Sequence, residues 1–237
     1  MNKPARLILS VVVVAGLGVT VGPWVYINFI KDDAPAALDI NSVTSSTAES
    51  ADQSIDTVAA PITDASGDWQ VLPNTDSVVG YRVKEILFGQ ATEGVGRTKG
   101  VEAALTIEDN AVTTASFTVQ MGTLMSDTAK RDGQFNGRIM DVATYPTATF
   151  SLTQPITLPA NAVSGEVITT EATGELTLRG TTKPVTFPLE AQVQGSTFTV
   201  AGNITIVFDE WSIPEPGLPG ISVDPQGLLE FALVFTR

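Results

Sequence analysis

The chain has 237 residues, enough for one domain of ordinary size plus accessory segments, and its hydrophobic content of 43% is typical of a globular core. The 13 basic and 26 acidic side chains give a formal net charge of -13, which repels phosphate backbones and excludes nucleic acid as an expected partner. Cysteine and histidine are absent, so thiol chemistry, most metal sites and the commonest general base are excluded, and we expect neither an enzyme nor a cofactor.

An uncharged apolar run occupies residues 7–30, long enough to span a hydrocarbon core of about 30 Å. Lys3 and Arg6 precede it, and Asp32 and Asp33 follow it closely. Positive charge stays on the cytoplasmic side, so the pattern predicts a cytoplasmic N-terminus at 1–6 and a single-pass transmembrane helix at 7–30. Everything after the helix is then outside the cytoplasm, at the cell membrane. The alternative is a cleaved signal peptide, because Ala34–Ala36 resembles a cleavage site.

The composition changes to Ala, Ser, Thr, Asp and Pro over residues 31–66, where no aromatic residue occurs. Such a stretch is too polar to bury a core of its own, so we predict a disordered acidic linker. As a flexible coil it would hold the following domain roughly 35 Å from the bilayer.

Residues 67–237 carry recurring apolar and polar alternation of period two, which is typical of half-buried strands. Polar residues at Glu108–Asn110 and Gln194–Ser196 interrupt the alternation in the manner of hairpin turns. About eight strands joined by short turns predict an all-β antiparallel barrel or sandwich. The runs are 79–84, 100–107, 112–121, 147–153, 166–178, 185–194, 197–209 and 228–236.

One segment departs from this alternation, from Ser126 to about Ala143. Either Ser126 or Asp127 is expected to cap a short helix there, because short polar side chains accept hydrogen bonds from the first turn. Tyr145-Pro146 then ends the helix before the next strand. We therefore predict a helical crossover over one end of a barrel.

Two segments, Arg131-Asp132-Gly133-Gln134-Phe135 with Met140–Phe150, and Thr173–Val185, resemble the signature of the YceI family. The resemblance covers residues 67–237 and implies an eight-stranded antiparallel, lipocalin-like barrel whose cavity holds a polyisoprenoid chain, as in isoprenoid quinones. Gln134 and Lys84-Glu85 stand where the family often has histidine, so the contacts to a ligand headgroup are expected to differ.

A polyisoprenoid offers almost only CH surface, so its site needs a dry apolar tube. The inward strand faces supply candidate lining residues, although sequence alone does not distinguish a hollow barrel from a filled one. Arg131, Asp132 and Tyr145 are candidates for the mouth or for headgroup contacts, or else they hold the crossover in place. The lining candidates are Phe117, Val119, Phe150, Leu176, Leu178, Phe187, Leu189, Ile204, Ile206, Phe208, Phe231, Leu233 and Phe235.

The expected function is therefore that of an extracytoplasmic, membrane-tethered binding or carrier protein for a polyisoprenoid or isoprenoid-quinone lipid. The alternative is a non-catalytic surface interaction module whose barrel is filled by side chains. No oligomeric state follows from the sequence.

Overall fold

The computed structural model of the chain describes residues 34–43, 64–72, 76–215 and 220–237. These residues form a single antiparallel sheet of 13 strands. The first seven strands are β1 Gly67–Val71, β2 Val78–Leu87, β3 Gln90–Thr98, β4 Val101–Glu108, β5 Ala111–Gln120, β6 Met125–Ser126 and β7 Thr147–Leu152. The remaining six are β8 Ile156–Thr157, β9 Ile168–Leu178, β10 Thr181–Gln194, β11 Thr197–Val207, β12 Ile221–Val223 and β13 Gln226–Thr236.

The sheet closes on itself because β1 pairs with both β4 and β13. β1 and β2 follow one another along β13, where Val71 pairs with Phe235 and Val78 with Ala232. β3 and β4 follow one another in the same way along β2 and β1. Counting each of these pairs as one strand, and setting aside the short strands β6, β8 and β12, leaves a closed eight-stranded barrel, as predicted.

The two ends of the barrel differ in how they are filled. At one end, which we call the closed end, the rings of Trp69 and Phe198 are 5.9 Å apart and those of Phe198 and Phe235 are 6.3 Å apart. The other end, which we call the mouth, carries the β2–β3 hairpin, the start of β13 and the crossover between β5 and β7. The tip of the β2–β3 hairpin and the crossover therefore lie at the same end of the barrel, the mouth.

The crossover contains helix α1, Ala129–Gln134, and a π-helical turn, Phe135–Ile139. The predicted caps were wrong: the α1 N-cap is Thr128, whose Oγ1 accepts from the Arg131 N–H at 3.3 Å. Ser126 instead donates from its N–H and its hydroxyl to Asp132 Oδ1, at 2.8 and 2.6 Å. These two hydrogen bonds join the first residues of the crossover to α1.

Residues 34–43, which we call the strap, lie against the outside of the barrel. Leu38, Ile40 and Val43 are buried against Ala201 and Ala232, with further contacts to β2 and β13. The strap lies within the predicted linker, and this packing differs from the expected disorder. A few aliphatic side chains are enough to order the strap, because the barrel supplies most of the apolar surface against which they pack. Ala232 and Glu230 on β13 are consequently buried although they point outward.

The sequence did not predict β3, whose composition lacks apolar alternation because Gly94 and Gly96 lie within it. A Cβ at Gly94 would meet the Arg131 guanidinium, and one at Gly96 would meet the Tyr81 ring. These glycines therefore make room for the side chains of Arg131 and Tyr81, which lie across the strand.

The predicted transmembrane helix at 7–30 lies outside the described residues, as do 44–63 of the predicted linker. Within the described ranges, no helix combines the length and apolar character needed to cross a bilayer.

Candidate functional site

A cavity of about 270 Å³ opens at the mouth, between the β2–β3 hairpin and the crossover. Its wall is formed mainly by aliphatic and aromatic side chains from the barrel strands, the crossover and β12. These are Val79, Tyr81, Val83, Leu87, Val119, Met121, Leu124, Phe135, Ile139, Met140, Ala148, Leu178, Ile206, Phe208, Ile213, Pro214, Ile221, Val223, Leu228 and Leu229. Such a wall excludes water and offers dispersion contacts to an apolar ligand.

Each barrel strand that contributes a residue to the cavity wall contributes its next inward-facing residue to the floor, because side chains alternate between the two faces of a strand. Two of these floor residues, Phe117 and Phe150, stack with ring centroids 5.3 Å apart. Phe187 then makes edge contacts with Phe150 at 5.4 Å and Phe231 at 5.8 Å. This aromatic layer closes the barrel below the cavity. The wall and floor pairs are Val119/Phe117, Ala148/Phe150, Leu178/Leu176, Ile206/Ile204 and Leu229/Phe231.

The structure divides the thirteen predicted lining residues into two groups. Four lie in the cavity wall, namely Val119, Leu178, Ile206 and Phe208. The other nine lie in the hydrophobic core and outside the wall, namely Phe117, Phe150, Leu176, Phe187, Leu189, Ile204, Phe231, Leu233 and Phe235. All of the nine are buried, so their inward orientation was predicted correctly while their depth in the barrel was not predictable.

Sequence reasoning missed the wall residues that the crossover supplies. Leu124, Phe135 and Met140 are buried and face the cavity from the segment between β5 and β7. Phe135 and Met140 lay within the predicted helical segment, but which face of that segment points inward follows only once the barrel beneath it is known. Leu124 precedes that segment and had no such signal.

A charged pair borders the cavity where the crossover meets β2. Arg131 Nη1 donates to Glu85 Oε2 at 2.9 Å and Nη2 donates to Glu85 Oε1 at 2.8 Å. Arg131 Nε donates to Asp127 Oδ1 at 3.0 Å. Glu85 is only 4% exposed, so this two-point contact lies largely out of solvent.

Burial by itself lowers the pKa of Arg131, but hydrogen bonds and charge attraction from Glu85 and then Asp127 outweigh it and hold the pKa above its ordinary value. The guanidinium is therefore permanently charged and already surrounded by carboxylate oxygens. Its structural contacts hold the crossover against β2, which is one of the two roles considered for it.

Tyr81 lies beside this pair and supports the crossover from the barrel side. Its ring stacks on Phe135 with centroids 4.9 Å apart and planes 12° from parallel. Burial is the main cause that raises the pKa of Tyr81 to about 12. The phenol is therefore neutral at physiological pH, and its ring forms part of the cavity wall.

The other two predicted mouth residues do not face the cavity. Asp132 binds Ser126, as described for the crossover. Tyr145 packs against Gly180, which has a positive φ of 74° and no side chain to obstruct the ring. The Tyr145 N–H donates to the Asp141 carbonyl at 2.9 Å, so this residue completes the turn after the crossover.

The aliphatic and aromatic wall of the site can enclose an apolar chain. Its acidic side chains Glu85 and Asp127 both bind Arg131. Within the described part of the chain, no cluster of three or more acidic side chains has the geometry to hold a metal ion. The wall therefore offers burial of CH surface beside a polar border that contains the Arg131–Glu85 ion pair.

The sequence of residues 69–235 matches the YceI-like domain family. A solved polyisoprenoid binding domain from Saccharophagus degradans superposes with a TM-score of 0.56 at 15% identity, covering 71% of this chain and 98% of that one. BcnA from Burkholderia cenocepacia superposes with a TM-score of 0.51 at 22% identity, covering 66% and 95%. No curated protein matches the chain by sequence. Since the match spans most of its length, this chain belongs to the YceI-like domain family.

Proposed function

We propose that this protein binds a polyisoprenoid or isoprenoid-quinone lipid in the mouth cavity and serves as a binding or carrier protein. The observation that carries the proposal is the apolar cavity of about 270 Å³ at one end of the barrel. The similarity to a polyisoprenoid binding domain from Saccharophagus degradans supports the choice of lipid. Burying each CH₂ group of such a chain contributes about 0.8 kcal/mol, so a few isoprene units give useful affinity without polar contacts.

The aromatic floor sets a limit on how much of the lipid enters. Ligand pockets commonly measure about 300–1,000 Å³, and this cavity lies just below that range. Phe117, Phe150 and Phe231 close the barrel beneath it. The cavity therefore accommodates a short part of a long polyisoprenoid, and the remainder extends past the mouth.

The alternative is a surface interaction module whose barrel is filled by side chains. The closed half of the barrel fits that description, because nine of the predicted lining residues pack there without a cavity. The open half favours the binding protein instead, since Ala148 and Val119 leave room that larger side chains would fill.

We also propose a non-enzymatic role and a membrane tether. Histidine is absent, and the acidic side chains that border the cavity are engaged with Arg131. The apolar run at 7–30, with Lys3 and Arg6 before it and Asp32 and Asp33 after it, supports a single-pass anchor in the cell membrane. In that arrangement the barrel lies outside the cytoplasm.

The test is native mass spectrometry with lipid extraction on the full chain, purified from a host that makes isoprenoid quinones. We expect a co-purifying polyisoprenoid in the unaltered protein and its loss in Ala148→Phe, because Ala148 lies in the cavity wall and a phenyl ring there fills the space. Ala104→Phe, on the exposed outer side of β4, is the matched control and should retain the lipid.

A protein that carries no lipid and stays free of it after addition of quinones and polyprenols would overturn the carrier role in favour of the interaction module. Lipid retained equally by Ala148→Phe and Ala104→Phe, with both folded, would show that the ligand binds elsewhere.

A further inference from the structure

The β2–β3 hairpin ends in a two-residue turn whose first residue has an unfavourable backbone conformation for its residue type. Leu87 pairs with Gln90, and the two residues between them, Phe88 and Gly89, have φ values of 49° and 87°. Turns with two positive φ angles favour Asn, Asp or Gly, and a bulky aromatic residue there is strained. The equivalent β4–β5 turn uses Asp109-Asn110, and the β9–β10 turn uses Arg179-Gly180. Of these three turns, only the β2–β3 turn places an apolar side chain at its first position. Strain of this kind concentrates at functional positions, so the exposed ring of Phe88 calls for a role outside folding.

Phe88 and its neighbour Ile86 form an apolar tip at the mouth of the cavity. Their exposed fractions are 59% and 48%, while Leu87 between them lines the cavity wall. The Phe88 N–H donates to the Gly220 carbonyl at 2.7 Å, and β12 pairs with β2 over Glu85–Leu87. The tip is therefore held in place and presents its side chains without a further ordering cost.

The strap shows which end of the barrel faces residues 7–30. Arg82 Nη2 donates to the Pro35 carbonyl at 2.7 Å, and Arg97 donates to the Ala36 carbonyl. Arg82 pairs with Leu228 near the start of β13, whereas Leu38, Ile40 and Val43 contact Val78, Ala232 and Val234 further from the mouth. The strap therefore runs from the mouth side toward the closed end, and residue 34 lies at its mouth-side end.

The chain between this point and the apolar run is too short to reach the closed end. Residues 31–33 span at most about 14 Å between residues 30 and 34, since an extended chain covers about 3.5 Å per residue. From the level of Arg82 to the end of β13 the distance along the barrel axis is roughly 20 Å, allowing for strand tilt. From Arg82 to the tip at Phe88 it is roughly 15 Å, which matches the reach of residues 31–33.

We infer that the tip formed by Ile86 and Phe88 docks into the interfacial layer of the same membrane that holds residues 7–30, with the cavity mouth facing the bilayer. This inference rests on the proposed membrane tether. The flexible linker expected from the sequence would hold the barrel about 35 Å from the membrane. In the inferred arrangement, the mouth of the barrel contacts the membrane directly. An isoprenoid chain then passes between bilayer and cavity without exposing its CH surface to water.

The test uses the full chain reconstituted in phosphatidylcholine and phosphatidylglycerol vesicles. Because the chain has no cysteine, Ile86→Cys provides a unique site for an environment-sensitive fluorophore. Val167→Cys is the matched control: Val167 is also exposed, but it directly precedes the Ile168–Ala191 pair toward the closed end. We expect a blue-shifted emission and quenching by headgroup-region spin-labelled lipid at position 86, and neither change at position 167.

A second variant separates docking from folding. Phe88→Asn, placed in the Ile86→Cys background, should abolish the quenching while leaving the thermal unfolding temperature unchanged or raised, since Asn suits a φ of 49°. Quenching that persists in Phe88→Asn, or equal signals at positions 86 and 167 in a protein bound to vesicles, would overturn the docking. If the full chain does not co-float with vesicles in a density gradient, both the tether and the docking are overturned. Lipid binding in the cavity is tested separately, by the lipid that co-purifies with the protein.

Discussion

Arg131 and Glu85 form a two-point ion pair between the helical crossover and strand β2, at distances of 2.9 and 2.8 Å. The pair joins two segments that are 46 residues apart in sequence and border the same cavity. It therefore fixes the crossover over the mouth, and its loss should affect both stability and the cavity border.

Arg131→Met should lower the free energy of unfolding by about 3 kcal/mol, because it leaves the buried Glu85 carboxylate without its two-point partner. The double variant Glu85→Gln with Arg131→Met should recover most of that loss, since no buried charge then lacks its counterpart. Urea unfolding of the two single variants and the double variant measures the coupling. A loss in the double variant equal to the sum of the losses in Glu85→Gln and Arg131→Met would show that the pair is not coupled.

Tyr81 should make the protein less stable at alkaline pH. Its folded pKa of about 12 lies above the ordinary 10.0, so the folded state retains a proton that the unfolded state loses. The resulting stability is fully present below the unfolded pKa and is lost as pH rises through the interval to the folded pKa. We expect a decline of about 1 kcal/mol between about pH 9 and about pH 11, measured by urea unfolding.

Tyr81→Phe is the control for this decline, because it keeps the ring that stacks on Phe135 and removes the ionisable hydroxyl. The variant should show a shallower fall in stability over the same pH interval. A fall as steep as that of the unaltered protein would assign the effect to other groups.

Gly96→Ala should destabilise the protein by about 1–3 kcal/mol, because the new Cβ would meet the ring of Tyr81 and disturb its stack on Phe135. Gly133→Ala is the matched control within α1, where a Cβ would meet nothing within 4 Å. That change should raise stability by up to about 1 kcal/mol, since Ala favours the helix. Thermal unfolding measures both, and the same sign for the two variants would contradict the explanation.

Ile40→Ser should release the strap from the barrel, because Ile40 is buried against the β11 and β13 surface. Losing this apolar contact costs about 2 kcal/mol or more, a large fraction of what a short segment can gain by docking. Hydrogen exchange over residues 34–43 measures the release, and Ala37→Ser at an exposed strap position should leave the protection unchanged. Unaltered protection in Ile40→Ser would show that the Arg82 and Arg97 contacts hold the strap unaided.

Local sequence patterns predicted the strands that alternate and the turns that interrupt them. Val101, Ala103, Leu105 and Ile107 face inward along β4 as period two requires. Asp109-Asn110 takes the positive φ values that short polar residues tolerate. These features depend on neighbouring residues, so the all-β antiparallel class followed from local patterns, whereas the choice of a barrel over a sandwich came from the resemblance to the YceI family.

Depth within the barrel depended on the tertiary structure. Phe117 and Val119 are both inward residues of β5, yet only Val119 lines the cavity while Phe117 stacks on Phe150 beneath it. Strand tilt and stagger set the height of each residue, and alternation carries no information about either quantity. The four wall residues could therefore not be separated from the nine core residues in advance.

The sequence by itself determined that the chain contains an apolar run at 7–30 and an alternating β domain, because both follow from hydropathy along neighbouring residues. Only the tertiary structure decided that Arg131 meets Glu85, that Gly94 and Gly96 make room for Arg131 and Tyr81, and that the strap lies on the barrel wall. Each of these depends on surfaces that distant segments form together, and a single stretch of sequence does not encode the surface it will meet.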